Sequence, residues 1–302
     1  FIFKKKIMKS RSVIILSLII LLFTSCIIGD EFPLSCESNS DALTIVHDNE
    51  LREYILYVPS TYDALNPAAI VFNFHGFGSN ADDYINDADM RSSSDQNGYI
   101  LVYPQGSCLD GQSHWNPNLP GTDNKSNADD FGFIESLIGK ISGEYNVDSE
   151  RIYAVGYSNG GMFSFGLALH KSELFAAVGS VSGTMLNCDH SSSHQIPVIT
   201  INGSSDSVVP YTGSSDYNSV EFVLNYWNNF NNTNDSPITN SINSNGTRID
   251  YLGYFDGTNG ASVEHYKIVG GDHYWFDINY QNKNTAELIW DFFNKYDING
   301  LR

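Results

Sequence analysis

The sequence is poor in basic residues: its 302 residues include 16 Lys and Arg against 35 Asp and Glu, a formal charge of −19. A nucleic-acid partner is excluded on this ground, because phosphate binding relies on clustered Lys and Arg, and most of the few present are scattered. Charged residues make up only 17%, but 41% hydrophobic and 13% aromatic residues exclude wholesale disorder and allow a sizeable core.

Cysteine is also scarce, with four residues in the chain. None lies in a C-x-x-C pair and no His/Cys spacing matches a zinc site, so no metal or other cofactor is expected. Cys36, Cys108 and Cys188 lie beyond the N-terminal segment, which leaves at least one of the three unpaired within the chain. We expect a bridge between Cys108 and Cys188, since both are predicted to lie in loops at the same edge of the sheet.

The apolar run at the N-terminus, Val13–Phe23, is too short for a comfortable transmembrane helix. It follows five basic residues and precedes Thr24-Ser25-Cys26, the arrangement of a secretory signal. A Cys in this position resembles a bacterial lipobox, in which Cys26 would be lipidated. A plain signal peptide with an incidental Cys is the alternative.

These features predict a division of the chain into residues 1–25 as a signal peptide, 26–42 as a polar tether and 43–302 as one domain. The protein is then exported, either as a lipoprotein of the outer membrane or cell surface or as a secreted protein. It would touch the membrane only through the lipid, and we expect a monomer.

Short apolar runs without alternation recur between residues 43 and 302, which indicates strands buried on both faces, as in a parallel sheet. Strands are predicted at 51–58, 68–74, 99–103, 151–155, 176–181 and 197–201, and helices at about 128–145, 160–171, 218–231 and 284–296. Their alternation favours an α/β fold with a mostly parallel central sheet and helices on both faces. The Asn/Ser/Gly-rich stretch from about 231 to 246 is predicted to be a surface loop before a late strand pair.

A G-x-S-x-G sequence, Gly156-Tyr157-Ser158-Asn159-Gly160, stands between a predicted strand and a predicted helix. The pattern alone is weak, but this strand-turn-helix context is the one that a nucleophile elbow needs. Glycines at both ends suit a turn in which side chains would collide with neighbouring backbone. Ser158 is therefore the candidate nucleophile.

A serine hydroxyl needs a base to take its proton, and the base needs an acid to fix its tautomer. In the order Ser, acid, His that this context suggests, Asp206 follows a predicted strand and supplies the acid. His273 comes later, after a strand-like run, and supplies the base. Asp189 is the alternative acid, although it comes early for that place. The other histidines lie within a strand pattern, as His265 does, or precede the acid.

Attack on a carbonyl makes an oxyanion that must meet two preorganised N–H donors. One is expected from the backbone of Asn159, directly after the nucleophile. The other is expected from Phe77, in the glycine-rich sequence His75-Gly76-Phe77-Gly78 that follows the strand at 68–74.

A series of short motifs has the order and spacing of one enzyme family. They are His75-Gly76, Tyr103-Pro104-Gln105-Gly106, Asp129-Asp130 with Gly132-Phe133, Arg151-Ile152-Tyr153 running into Gly156–Met162, Asn202-Gly203 with Asp206 and Val209-Pro210-Tyr211, and Gly270-Gly271 with His273 and Trp275. Over about residues 50–295 the chain resembles the exported esterases that include polyhydroxybutyrate depolymerases and type-C feruloyl esterases. The resemblance implies an α/β-hydrolase fold, a triad of Ser158, Asp206 and His273, and oxyanion donors at Phe77 and Asn159.

Two departures from the family pattern leave the substrate open. Phe77 stands where the depolymerases often have Cys, and the acid loop reads Asn-Gly-Ser-Ser-Asp where His-Gly-Thr-x-Asp is usual. Phe77, Trp115 and Trp275 are predicted to contact substrate, because aromatic side chains around the nucleophile can stack on a feruloyl or terephthaloyl ring or on a sugar. The alternative for both tryptophans is packing of the loops around the base, and Asp130 is expected to cap a helix or anchor a loop.

The sequence thus predicts an exported serine esterase that acts through an acyl-enzyme without metal or cofactor. Its substrates would be feruloyl or acetyl esters on polysaccharide, hydroxyalkanoate oligomers or aromatic polyesters. A serine peptidase or amidase on the same fold is one alternative. A catalytically inactive lipoprotein that serves as a binding module is the other.

Overall fold

Strands and helices alternate along the chain in the computed structural model, which describes Cys36 and residues 42–119, 124–186 and 194–302. The strands are β1 (Leu43–His47), β2 (Glu50–Tyr57), β3 (Ala68–Phe74), β4 (Ile100–Pro104), β5 (Ser107–Leu109), β6 (Gln112–His114), β7 (Val147–Tyr157), β8 (Ala177–Val181), β9 (Val198–Gly203), β10 (Ile238–Ser244), β11 (Thr247–Tyr254), β12 (Val263–Ile268), β13 (Asn279–Tyr280), β14 (Lys283–Asn284), β15 (Tyr296–Asp297) and β16 (Gly300–Leu301). The helices are α1 (Ala81–Asp87), α2 (Arg91–Asn97), α3 (Asp130–Glu144), α4 (Asn159–His170), α5 (Val220–Asn231) and α6 (Thr285–Phe293).

One large sheet runs through the described residues in the strand order β1-β2-β4-β3-β7-β8-β9-β12-β11-β10. The six strands from β4 to β12 in that order are parallel to one another, and the strands beyond them at both ends are antiparallel. Strands β3, β4, β8 and β9 are buried along their whole length, which explains their unbroken apolar runs. The predicted mostly parallel sheet is confirmed.

Two hydrophobic cores lie on opposite faces of this sheet. Alternate residues of β3 enter each core: Phe72 belongs to the core that includes residues of α3, α4 and α5, whereas Val71 belongs to the core that includes residues of α1 and α6. This follows from the two-residue period of a strand, whose side chains point to opposite faces in turn. Helices therefore cover both faces, as the sequence predicts.

The late part of the sheet differs from the sequence prediction. The stretch from 231 to 246 was expected to be a loop, yet β10 lies within it as an edge strand paired with β11. All of its residues are exposed or partly exposed, so it has no apolar signature. The short helices α1 and α2 were also not predicted, since each has only seven residues and little apolar periodicity.

A disulfide joins Cys36 to Cys108, with the two Cα atoms 5.5 Å apart. The predicted bridge between Cys108 and Cys188 is therefore wrong, because Cys108 already has its partner. Cys188 lies outside the described residues, and so do the predicted signal segment and Cys26. Cys36 was assigned to the tether, but its side chain is buried.

Within the described residues, none of the helices combines the length and apolar character needed to cross a membrane.

Candidate active site

Ser158 stands at a sharp turn between the end of β7 and the start of α4. Its backbone has φ 53° and ψ −118°, a conformation that non-glycine residues rarely adopt and that is typical of strained functional positions. The Ser158 N–H donates to the carbonyl of Val181 at 2.9 Å, which ties the turn to the end of β8. The turn thus has the geometry of a nucleophile elbow.

The glycines of the motif are required by close backbone packing. A Cβ on Gly160 would lie 2.1 Å from the carbonyl oxygen of Phe74, and one on Gly156 would lie 2.4 Å from the carbonyl of Gly160. These neighbours are backbone atoms and cannot rotate away. Side chains at either position would push α4 away from the strands and displace Ser158.

The structure brings together the three residues predicted as the triad. His273 Nε2 lies 2.8 Å from Ser158 Oγ, and His273 Nδ1 lies 2.8 Å from Asp206 Oδ2. The other oxygen of Asp206 accepts the backbone N–H groups of Val208 and Val209 at 2.9 and 2.7 Å. With Nδ1–H donating to Asp206, Nε2 is left as the acceptor for the Ser158 hydroxyl, as proton abstraction requires.

The loop that carries His273 is held by contacts that the sequence did not reveal. Tyr157 donates its hydroxyl to the His273 carbonyl at 2.9 Å, and Ser182 donates to the carbonyl of Tyr274 at 2.7 Å. Burial raises the pKa of Tyr157 to about 12, so its hydroxyl keeps the proton it donates. Ser207 donates its N–H and hydroxyl to Asp272 at 2.7 and 2.8 Å, which makes Asp272 a supporting residue.

The two predicted oxyanion donors lie beside the nucleophile. Phe77 follows Gly76, where a Cβ would lie 3.5 Å from the Cβ of Ser158, and Asn159 begins α4 directly after Ser158. Among the described residues, neither the Phe77 N–H nor the Asn159 N–H has a hydrogen-bond acceptor. Both donors are therefore available to a ligand, and the start of α4 adds its partial positive charge.

The buried ring of His75 fixes the loop that holds Phe77. Its Nε2 accepts the Gly106 N–H at 2.9 Å, so Nδ1 carries the proton and donates to the Gly76 carbonyl at 2.7 Å. Burial lowers the pKa of His75 to about 4, which keeps the ring neutral and this pattern intact near neutral pH. The role of His75 is thus to hold the Gly76–Phe77 peptide in place.

Trp115 does not reach the substrate side of the site. Its ring is fully buried, stacks on Phe163 at 5.0 Å between centroids and donates Nε1–H to the His75 carbonyl at 3.1 Å. Its backbone N–H and carbonyl bond the Asn159 side chain at 2.7 and 3.0 Å. The predicted substrate contact of Trp115 is wrong, and the alternative of loop packing holds, because its ring fills the core beneath the oxyanion loop.

The other two aromatic residues predicted to contact substrate remain accessible to different extents. Phe77 is half exposed, with the Lys125 ammonium 4.7 Å from its ring centroid. Trp275 is partly buried and meets the ring of Tyr84 edge-on at 6.0 Å. Both stay predicted substrate contacts.

Asp130 is the buried anchor of the hairpin formed by β5 and β6. One oxygen accepts from Arg52 Nη2 at 2.8 Å and from Ser107 Oγ at 2.7 Å, and the other accepts the Asn116 N–H at 2.9 Å. The helix cap itself is Asp129, which accepts the Gly132 N–H. Asp130 therefore holds both ends of the segment that supplies Gly106 and Trp115 to the site.

The two fully buried histidines, His75 and His265, predict a pH dependence of stability. Burial lowers the pKa of His75 to about 4 and that of His265 to about 3, against an ordinary value of 6.5. Between about pH 6.5 and pH 4 the unfolded chain then binds more protons than the folded chain. The free energy of unfolding should fall as the pH drops, by up to about 1.4 kcal/mol per pH unit for each histidine.

Urea unfolding at pH 7, 6 and 5 measures this slope. The variant His265→Gln keeps polar atoms for Thr200 and Tyr211, which bond the ring at 2.7 and 2.9 Å, but cannot titrate. Its slope should be shallower than that of the wild type. Equal slopes would contradict the assignment for His265.

No group of three or more His, Cys, Asp or Glu side chains within the part of the chain that the structure describes could hold a metal ion.

His265, the competing histidine within a strand, is fully buried on β12. The alternative acid Asp189 lies outside the described residues.

The parallel sheet with helices on both faces and the elbow at Ser158 define an α/β-hydrolase fold. Comparison with solved structures agrees: an acetyl xylan esterase from Aspergillus awamori matches with a TM-score of 0.62 and 16% identity, over 84% of this chain and 99% of that one. The family model "Esterase PHB depolymerase" matches residues 52–226. The chain belongs to this family and is a carboxylic ester hydrolase.

Curated relatives carry esterase names. The chain is 28% identical over 209 residues to "Probable feruloyl esterase C" of Aspergillus niger, a match that covers 68% of this chain and 73% of that protein. It is 24% identical over 253 residues to "Bifunctional acetylxylan esterase/xylanase XynS20E" of Neocallimastix patriciarum, over 82% of this chain and 34% of that protein. The predicted resemblance to feruloyl esterases and polyhydroxybutyrate depolymerases is confirmed.

Proposed function

We propose that the protein hydrolyses its ester through a Ser158 acyl-enzyme, with His273 as base and Asp206 as the acid that orients it. The observation that carries this proposal is the unbroken hydrogen-bond chain from Ser158 Oγ through the His273 ring to Asp206, with 2.8 Å at each step. Asp206 is buried, and its second oxygen accepts two backbone N–H groups. It can therefore stabilise the imidazolium that forms when His273 takes a proton.

Acylation begins when Ser158 Oγ attacks the ester carbonyl carbon while its proton moves to His273 Nε2. The carbonyl oxygen gains negative charge, which the N–H groups of Phe77 and Asn159 stabilise. Collapse of this intermediate breaks the bond to the alcohol oxygen, and His273 gives that oxygen its proton. The alcohol departs and the acyl group remains on Ser158.

Deacylation repeats the sequence with water as the nucleophile. His273 takes a proton from water as its oxygen attacks the acyl carbon, and the same N–H groups stabilise the second oxyanion. When the bond to Ser158 Oγ breaks, His273 returns the proton to the serine. The carboxylic acid leaves and the starting state is restored.

The substrates we propose are feruloyl and acetyl esters carried by polysaccharide. The names of the relatives, feruloyl esterase and acetylxylan esterase, support this class. The half-exposed ring of Phe77 beside the oxyanion donors could stack on a feruloyl group.

We also propose that the protein acts outside the cytoplasm as a monomer, held to a membrane through lipidated Cys26 or released by a plain signal peptide. The disulfide between Cys36 and Cys108 supports export, since disulfides persist in oxidising compartments. Intact mass of the protein from its native membrane fraction tests for the lipid, and sedimentation tests the monomer.

A hydrolysis panel on one preparation tests the substrate class. We expect kcat/KM for methyl ferulate and acetylated xylan to exceed that for a hydroxybutyrate oligomer and a terephthalate ester by at least about tenfold, a difference of about 1.4 kcal/mol in transition-state binding. The matched amide of ferulic acid should react far more slowly than the ester. Preference for the amide would point to a peptidase or amidase, and preference for either polyester would overturn the polysaccharide assignment.

A further inference from the structure

The loop that carries His273 is bound at its N-terminal end to the loop of the catalytic acid. The Gly270 N–H donates to Ser204 Oγ at 2.8 Å. The Ser205 N–H donates to the Gly271 carbonyl at 2.9 Å. Because Ser204 and Ser205 directly precede the acid in the sequence, this end of the base loop is fixed relative to the acid.

The C-terminal end of the same loop is bound to the strands beside the nucleophile. Tyr157 is the last residue of β7 and donates its hydroxyl to the His273 carbonyl at 2.9 Å. Ser182 follows the end of β8 and donates its hydroxyl to the Tyr274 carbonyl at 2.7 Å. The base loop therefore joins the acid loop at one end and, at His273 itself, the strand that leads into Ser158.

The Tyr157 ring is confined by its neighbours, which gives its hydroxyl a fixed direction. It lies against the His273 ring, with 5.1 Å between the two centroids. It also packs on the oxyanion loop, since a Cβ at Gly76 would lie only 2.9 Å from Tyr157 Cδ1. Burial raises the pKa of Tyr157 to about 12, so the hydroxyl remains a hydrogen-bond donor near neutral pH.

Proton transfer depends on how the base loop is placed relative to the nucleophile. His273 Nδ1 is bonded to Asp206, and His273 Nε2 must reach Ser158 Oγ, each over 2.8 Å. A shift of the loop along the strand ends would lengthen the bond to Ser158, and a misplacement of about 1 Å can cost about 100-fold in rate. Tyr157 precedes Ser158 in the chain, so its hydroxyl fixes the His273 backbone relative to the nucleophile.

We propose that Tyr157 is a positioning residue of the reaction, whose hydroxyl holds the His273 backbone where Nε2 can take the proton of Ser158. Tyr157 itself neither touches the substrate nor transfers a proton. The proposal rests on the proposed triad mechanism and adds to it a residue that acts through the base.

Tyr157→Phe tests the proposal, because it removes the hydroxyl and keeps the ring against Gly76 and His273. The loop retains its bond from Ser182, so we expect the variant to fold. On p-nitrophenyl acetate, kcat per active site should fall by at least about tenfold, while KM should change by less than about twofold. Active sites are counted as the fraction of protein that a fluorophosphonate labels at Ser158 after prolonged treatment. The rate of labelling should fall with kcat, because the same base activates the serine.

Tyr57→Phe is the matched control for Tyr157→Phe. It removes another tyrosine hydroxyl, which donates to Asp95 at 2.7 Å in a contact that involves no residue of the site. Its kcat and KM should equal those of the wild type. Ser182→Ala is the second variant, because it releases the same loop one residue further on. Its kcat per labelled site should also fall, by a smaller factor than in Tyr157→Phe.

The count of labelled sites separates positioning from a purely structural role. A structural role would lower the labelled fraction of Tyr157→Phe and leave kcat per labelled site at the wild-type value, which would overturn the proposal. If Tyr157→Phe does not fold, a wild-type kcat per labelled site in Ser182→Ala would overturn it in the same way. A wild type that the fluorophosphonate does not label at Ser158 would defeat the proposed function instead.

Discussion

Replacing Ser158 with alanine is expected to lower kcat on p-nitrophenyl acetate by about 10⁴- to 10⁶-fold, because it removes the oxygen on which the proposed acyl-enzyme forms. Oγ is the atom 2.8 Å from His273 Nε2, and alanine removes it without adding volume at the turn. The residual rate would come from the oxyanion donors and substrate positioning. Stopped-flow or steady-state assays on purified variants measure the change, and circular dichroism checks that the fold is retained.

Two comparisons make the Ser158 prediction specific. Ser92→Ala changes an exposed serine on α2 and should leave kcat unchanged. His273→Ala should lose about as much activity as Ser158→Ala, and combining the two should cost little more, because triad members act as a unit. Mass spectrometry after treatment with a fluorophosphonate should find the adduct on Ser158. A Ser158→Ala variant that keeps its activity would refute the mechanism.

The second large effect concerns stability: Asp130→Ala is expected to lower the free energy of unfolding by about 3–5 kcal/mol. The substitution would leave the Arg52 guanidinium buried without its carboxylate, since the Arg52 side chain is only 7% exposed and that of Asp130 is 0% exposed. It would also remove the acceptor of the Ser107 hydroxyl and the Asn116 N–H. Urea unfolding followed by tryptophan fluorescence measures the loss.

Glu144→Ala provides the matched control for Asp130→Ala. It breaks the exposed pair with Lys140, in which the side chains are 33% and 47% exposed, and should cost less than about 1 kcal/mol. If Asp130→Ala does not fold, Asp130→Asn keeps two polar atoms and should show a smaller loss in the same direction. If Asp130→Asn and Glu144→Ala lowered the free energy of unfolding equally, the buried pair would contribute no more to stability than the exposed pair.

The sequence predicted a structural feature correctly where its local residue pattern has a single physical cause. The predicted strand at 68–74 has the same first and last residues as β3, because a strand buried on both faces has an unbroken apolar sequence. The nucleophile elbow could be predicted because it needs glycine at Gly156 and Gly160, where a Cβ would collide with backbone atoms that cannot move aside. Asp206 and His273 were predicted from the order Ser, acid, His and from the strand that each follows, and the structure places their side chains 2.8 Å apart.

The remaining features depend on partners that are distant in sequence. Arg52 and Asp130 are 78 residues apart, and nothing local to either shows that they meet. The sequence around Trp115 does not distinguish a ring that contacts substrate from a ring that fills the core. Here the ring fills the core and stacks on Phe163. The edge strand β10 was missed because its side chains contact solvent on both faces, which removes the apolar signal that marks a strand.

The Cys36–Cys108 bridge also sets the working radius of the enzyme if Cys26 is its membrane anchor. Cys36 is joined to Cys108 of β5, and it follows Cys26 by ten positions in the sequence, which corresponds to a chain length of at most about 35 Å. Cys108 is two residues after Gly106, whose N–H donates to His75 of the oxyanion loop. An enzyme anchored in this way would hydrolyse only those substrate chains that come within a few nanometres of the cell surface.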